Sequence, residues 1–257
     1  MTGAAYIVEG ATVRTTGHSA GPWNPGLQHG GAPASLIVWA AERIATPAPM
    51  RVARATVELL RPVPVADLAI EVAVLRKGRK IQLVEVRLLH EGKEAVRGTV
   101  LKLRTVETAL PRGPVMPPLG APLPETLEAQ AQQFDFGFAA GFELRRVAQR
   151  EGGVGPAQVW FRQHGAIVAG EPLSPAMRAA SVGDYSNGIA NELPWKDWTF
   201  INADLTISLA RPPEGDWILS DAESWIAGDG TGLAMARLAD VRGPFGRAIQ
   251  SILIDPR

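Results

Sequence analysis

The chain has 257 residues, no cysteine, and 26 basic residues balanced by 26 acidic ones, for a formal net charge of +0. That balance gives no electrostatic argument for a nucleic-acid partner or an anionic membrane, and it fits a small-molecule role. The missing cysteine excludes a disulfide framework, a thiolate nucleophile and cysteine-ligated zinc.

The opening MTGAAYIVEGATVR lacks the basic-then-apolar layout of a signal peptide, and Tyr6–Thr16 reads as a strand. Next comes GLQHGGAP, in which His29, Gly30 and Gly31 precede an apolar run. Ala32–Ala45 reads as a helix with Pro33 in its first turn and Pro47 stopping it. Alternating, β-branched-rich runs near 51–61, 66–76, 80–90 and 94–104 read as strands, separated by Pro62, Gly78 and Gly92. Six prolines between 106 and 133 (111, 114, 117, 118, 122, 124) mark a linker. Beyond it, strands are expected near 141–149 and 156–164, then a helix capped by Ser174 with Pro175 at its first position. Strands near 199–210, 216–226, 232–240 and 246–254 complete the chain. No apolar run reaches the roughly eighteen residues of a membrane-spanning helix, so a cytoplasmic protein is expected.

The two halves repeat. The stretch from Ala53 to Pro62 lines up with the stretch from Ala203 to Pro212, and the register persists through Arg87-Leu88 against Arg237-Leu238 and Arg97 against Arg247. A constant offset over that length argues for duplication. The first helix is apolar nearly all round, so protein must surround it, and the simplest wrapper is the antiparallel sheet of the strands that follow. A sheet curled round a central helix is the hotdog architecture. The expectation is an α+β tandem hotdog: 1–105, a linker at 106–133, and 134–257.

The segments GLQHGGAPASLIVWAAER, VELLRP, VAVLRKGRKIQLVEVRLL, QVWFRQ, LSPAMRAASVGDYSNG, LTISLARP and AIQSIL, in that order, resemble the double-hotdog acyl-CoA thioesterases of the bacterial acyl-CoA thioesterase II type. The resemblance implies hydrolysis of acyl-CoA thioesters without a metal or redox cofactor. It implies an aspartate, a glutamine and a hydroxyl residue around the attacking water. The first two match Asp184 and Gln250, while the hydroxyl position falls on Trp225. A dimer of double hotdogs is also in keeping with it.

The residues themselves allow this chemistry. A thioester carbonyl needs a base for water or a carboxylate nucleophile, and Asp184 can be either. Gln250, a polar residue in an apolar final strand, can accept from and donate to a water. Negative charge on the carbonyl oxygen is met naturally by free N–H groups at a helix N-terminus. Gly30 and Gly31 are therefore expected to face Asp184 across paired helices, with His29 or Gln28 as an added donor. Ser224 and Thr231 are the substitute hydroxyls near Trp225, and Trp225 itself could wall the acyl tunnel. Arg76, Lys77, Arg79 and Lys80 form a basic hairpin that could meet coenzyme A phosphates. Asp221 and Glu223 have no histidine near in sequence, so no metal site is expected there.

Two other functions share this fold. A hotdog hydratase needs a histidine paired with an acid, and of His18, His29, His90 and His164 only His29 is well placed, with no clear acidic partner beside it. A protein that binds an acyl thioester without turnover is the other alternative, supported by Trp225 in place of a hydroxyl.

Overall fold

The computed structural model describes residues 3–111, 113, 115–130 and 135–257; the linker residues Arg112, Pro114 and 131–133, with Phe134 of the second half, lie outside the described residues. Strand β1 (Ala4–Glu9) turns at Gly10, whose φ is +62, into β2 (Thr12–Thr15). The expected single strand is therefore a hairpin. Helix α1 spans Gly31–Glu42, and β3 (Met50–Leu59), β4 (Leu68–Lys77), β5 (Ile81–His90) and β6 (Lys93–Arg104) follow. The second half starts with β7 (Phe142–Gln149), β8 (Ala157–Gln163) and a short β9 (Ala166–Val168) that the sequence did not announce. Helices α2 (Pro175–Gly183) and α3 (Tyr185–Ile189) meet at Asp184. The expected strand at 199–210 divides at Ala203 into β10 (Trp198–Asn202) and β11 (Asp204–Leu209), ahead of β12 (Trp217–Ile226), β13 (Thr231–Asp240) and β14 (Gly243–Pro256).

The strands form one sheet in the order β7-β8-β12-β13-β14-β11-β3-β6-β5-β4-β2-β1-β9, with β10 also on β14. The halves are joined where β3 pairs antiparallel with β11, Thr56 opposite Thr206. These two are repeat equivalents, 206 − 56 = 150, so each half presents the same residue to the other across a local pseudo-twofold axis. The offset holds elsewhere: Arg87 faces Arg97 as Arg237 faces Arg247. Both hairpins also shift register at equivalent places, after Leu88 and after Leu238. Duplication is written in the hydrogen-bond ladder as well as in the sequence.

Helix α1 is buried along Gly31–Val38, as its all-round apolar surface requires. It presses so closely on β6 that a Cβ at Gly98 would lie 2.3 Å from Ile37. Against α2 it packs through small residues, Ser35 Oγ sitting 2.7 Å from Ser181 Oγ. The proline-rich segment is no free tether. Leu119, Ala121 and Leu127 pack on a cluster of Trp160, Trp217, Leu219 and Ala239, and Trp160 Nε1 donates to Pro122 O. The segment then delivers a buried Phe138 to the junction of the two helices.

Candidate active site

The end of α2 meets the start of α1, and each sequence feature has a local cause. Ser174 opens α2 by accepting from Met177 N at 3.1 Å, with Pro175 behind it. The helix closes at Gly183, where a Cβ would lie 2.9 Å from Ile207 on β11. Asp184, one residue on, is therefore held against the sheet at the helix C-cap rather than inside a long helix, and it is 7% exposed.

Three side chains hold its carboxylate. Asn202 Nδ2 donates to Asp184 Oδ1 at 2.8 Å, and Gln250 Nε2 donates to the same oxygen at 3.0 Å and to the Asp184 carbonyl at 3.2 Å. The other Gln250 end, Oε1, accepts from Asn187 N at 3.1 Å. The amide nitrogen of Gln250 thus bonds Asp184 twice while its oxygen accepts from the backbone of Asn187. His29 Nδ1 lies 2.9 Å from Asp184 Oδ2. The histidine does have an acidic partner, 155 residues away in sequence (184 − 29).

The glycine pair lies on the same carboxylate. A Cβ at Gly30 would stand 2.8 Å from Asp184 Oδ1, and one at Gly31 would stand 2.9 Å from Ser181 O and from Phe138. Only glycine lets the first turn of α1 approach this closely. The N-cap Gly30 supplies no side-chain cap. In the first turn Ala32 N donates to His29 O, Ala34 N donates to Gly30 O, and Pro33 has no N–H. Gly31 N points at His29 Nδ1, 3.1 Å away. One ring nitrogen cannot accept from Gly31 and donate to Asp184 together. The Gly31 N–H and the Asp184 carboxylate therefore share one ring nitrogen of His29.

The remaining predicted residues lie elsewhere. Gln28 accepts from Tyr6 OH and donates to Pro64 O, so its amide is not an extra donor for the site. Trp225 is 60% exposed on the outer face of β12, and Asn202, not Trp225, is the third side chain on Asp184. Ser224 is buried, but its hydroxyl hydrogen-bonds to none of the described residues, and Thr231 bonds to Asp229 in its hairpin. Arg76, Lys77, Arg79 and Lys80 are exposed at the β4–β5 turn, five strands from β14 or about 24 Å along the sheet. Asp221 pairs with Arg237 at 2.8 Å.

Sequence reasoning missed Asn202, Tyr185 and Phe138. The last two flank His29, with ring centroids 4.6 and 5.1 Å from its own. The Tyr185 phenol is pushed well above its ordinary pKa by burial, and next by the Asp184 charge, so it remains a protonated donor.

A family model for the acyl-CoA thioesterase N-terminal domain matches residues 19–103, and one for the C-terminal domain matches residues 118–254. The chain belongs to the acyl-CoA thioesterase family. It is a thioester hydrolase built on a tandem hotdog. Solved structures share the fold across nearly the whole chain. A hotdog protein of unknown function from Alicyclobacillus acidocaldarius aligns with a TM-score of 0.77 at 16% identity, covering 98% of this chain and 96% of its own. An acyl-CoA thioesterase II from Mycobacterium marinum aligns at 0.69 and 19%, covering 98% and 94%. A 12:0-ACP thioesterase from Umbellularia californica aligns at 0.51 and 11%, covering 96% and 93%. No curated protein matches the sequence. Among the described residues no helix is long and apolar enough to cross a membrane.

Proposed function

We propose that the enzyme hydrolyses acyl-CoA to free acid and CoA at one composite site, with the base from the second half and the oxyanion donor from the first. The observation that carries this is the Asp184 carboxylate, fixed by Asn202, Gln250 and His29 and seated against the uncapped start of α1. Water bound at Asp184 attacks the thioester carbonyl while the carboxylate takes its proton. The tetrahedral oxyanion is met by the positive end of the α1 dipole, with the Gly31 N–H as its donor once it exchanges His29 Nδ1 for the substrate oxygen. Collapse expels the CoA thiolate, a good leaving group, and Asp184 returns its proton to the medium or to the thiolate. Gln250 and Asn202 contribute by keeping the carboxylate in one orientation, since both bond the same oxygen.

The His29–Asp184 contact also supplies the histidine–acid pair that a hydratase would use. Thioesterase domain matches in both halves favour hydrolysis. Thiol release from an acyl-CoA panel, run beside loss of enoyl absorbance from a 2-enoyl-CoA, tests the choice. Thiol release that collapses in Asp184→Asn while acyl-CoA still binds is the expected result. Hydration without thiol release, or an acyl group trapped as a mixed anhydride on Asp184 in a single turnover, would overturn the proposed chemistry.

A further inference from the structure

The ring of Phe138 has a different space on each side. On one side is the composite site: the ring packs on His29 with 5.1 Å between centroids, and its Cε1 lies 2.9 Å from where a Cβ on Gly31 would stand. On the other side is a cavity of about 60 Å³, which Phe138 walls together with Phe142, Gln163 and the small residues Ala140, Gly141 and Ala166. Gly3 and His18 bound it as well, the imidazole lying so near Gly3 that a Cβ there would be 2.1 Å from Nε2. At about 10–15 Å³ for one water-sized probe, the cavity holds about four atoms.

Phe138 is held in this position by its backbone. Gly137 has a φ of +61, and a Cβ on it would lie 2.3 Å from Ala20 O, so only glycine fits there. Phe138 N donates to that same carbonyl at 2.9 Å, and Phe138 O accepts from Gly141 N at 3.1 Å. The ring is 4% exposed and meets Phe142 edge-on at 5.3 Å. Trimming the ring therefore leaves the chain tethered and opens the cavity toward His29.

The two groups flanking a thioester carbonyl have opposite demands. The CoA arm is long, polar and charged and needs a way to water, whereas the acyl tail is apolar. A buried aromatic ring backed by a small and mostly apolar cavity suits only the acyl side. We infer that Phe138 sets the length of the acyl chain. Short acyl groups end against its ring, and the cavity behind it is the continuation of the same path that the ring keeps closed. This rests on the hydrolytic reading above and narrows its substrate class to short acyl thioesters. Phe138 is a specificity residue, touching the acyl tail rather than the reacting carbonyl.

The test reads kcat/KM over straight-chain acyl-CoAs from acetyl to dodecanoyl for the parent enzyme, Phe138→Ala and Phe138→Leu. The parent should favour a short chain, and each methylene beyond the optimum should cost about tenfold or more. Phe138→Ala should move the optimum up by about four carbons, and Phe138→Leu should move it by less. Adding Ala166→Leu to Phe138→Ala refills the cavity and should bring the optimum back down, while Ala166→Leu alone should leave the parent profile in place. A parent that takes long chains as readily as short ones, a profile of the same shape in Phe138→Ala, or a shift that Ala166→Leu does not reverse overturns the inference and leaves hydrolysis intact. Where circular dichroism shows Phe138→Ala unfolded, the shift in Phe138→Leu decides, and its absence overturns the inference. If the parent hydrolyses no acyl-CoA, the hydrolytic reading fails instead. Calorimetric binding of the same series to the parent and Phe138→Ala still reads chain length, and the same length dependence in both overturns the inference.

Discussion

The two helices of this chain cross so that each end of one meets the opposite end of the other, and only one of the two junctions sets a buried carboxylate against a glycine helix start. Where α2 ends on the start of α1, Asp184 faces a glycine N-cap with no side-chain cap. Where α1 ends near the start of α2, Glu42 takes a hydrogen bond from Ser174, whose oxygen already accepts from Met177 N. Burial raises the Glu42 carboxyl above its ordinary pKa, with Ser174 and Lys102 pulling the other way. The strands differ in the same sense. By register, Gln250 opposite Ala234 corresponds to Val100 opposite Val84, and Asn202 opposite Ile252 corresponds to Val52 opposite Lys102. Lys102 donates to Ile44 O and Gln82 to Ala45 O, so the first-half junction serves to cap the end of α1. Duplication supplied two frames; one gathers polar side chains on Asp184 and the other caps the end of α1.

The comparison can be broken by making the halves alike. Changing Asn202 and Gln250 together to valine, as in the first half, should lower kcat by about 10³-fold with the fold retained, because the base loses both its orienting donors; steady-state kinetics with circular dichroism checks this. Gly30→Ala places a carbon 2.8 Å from the carboxylate and should cost about 10²-fold in kcat. The matching change at the other junction, Ser174→Ala, should leave kcat alone and cost about 1 kcal/mol of stability through the lost cap, measured by urea unfolding.

A smaller asymmetry concerns acid stability. Asp240, whose repeat equivalent is His90, receives Arg211 at 2.5 and 2.7 Å and the N–H groups of Glu214 and Arg242. Burial alone would raise its pKa, but these bonds together hold it below the ordinary 3.8. A depressed carboxylate contributes stability that is complete above its unfolded pKa and is lost as pH falls through the folded one. Asp240→Asn should therefore cost about 2 kcal/mol at neutral pH, and the gap to the parent should narrow below about pH 4.

The repeat, the two main helices and most of the strands were legible in the sequence because periodicity and proline and glycine punctuation carry them. Asp184 and the Gly30–Gly31 approach were legible too, the first from the family resemblance and the second because a glycine pair before a buried helix needs a reason. Asn202 was hidden by a change of face. In β11 the inward residues are Leu205, Ile207 and Leu209, all odd, so an unbroken strand points Asn202 outward. The division at Ala203 reverses the parity, and Phe200 and Asn202 turn inward. Lining up the halves gives the signal that would have found it, a polar residue where the other copy keeps Val52, and the same holds for Gln250 against Val100. Tyr185 and Phe138 carry no such mark, because their proximity to His29 arises from the α2–α3 break and the course of the linker segment.

The most direct test of a single working junction is kcat/KM for acyl-CoA hydrolysis by Asp184→Asn beside Glu42→Gln. The account predicts a loss of about 10³-fold in the first and a value near that of the parent in the second. Comparable losses in both, or an active Asp184→Asn beside an inactive Glu42→Gln, would contradict it.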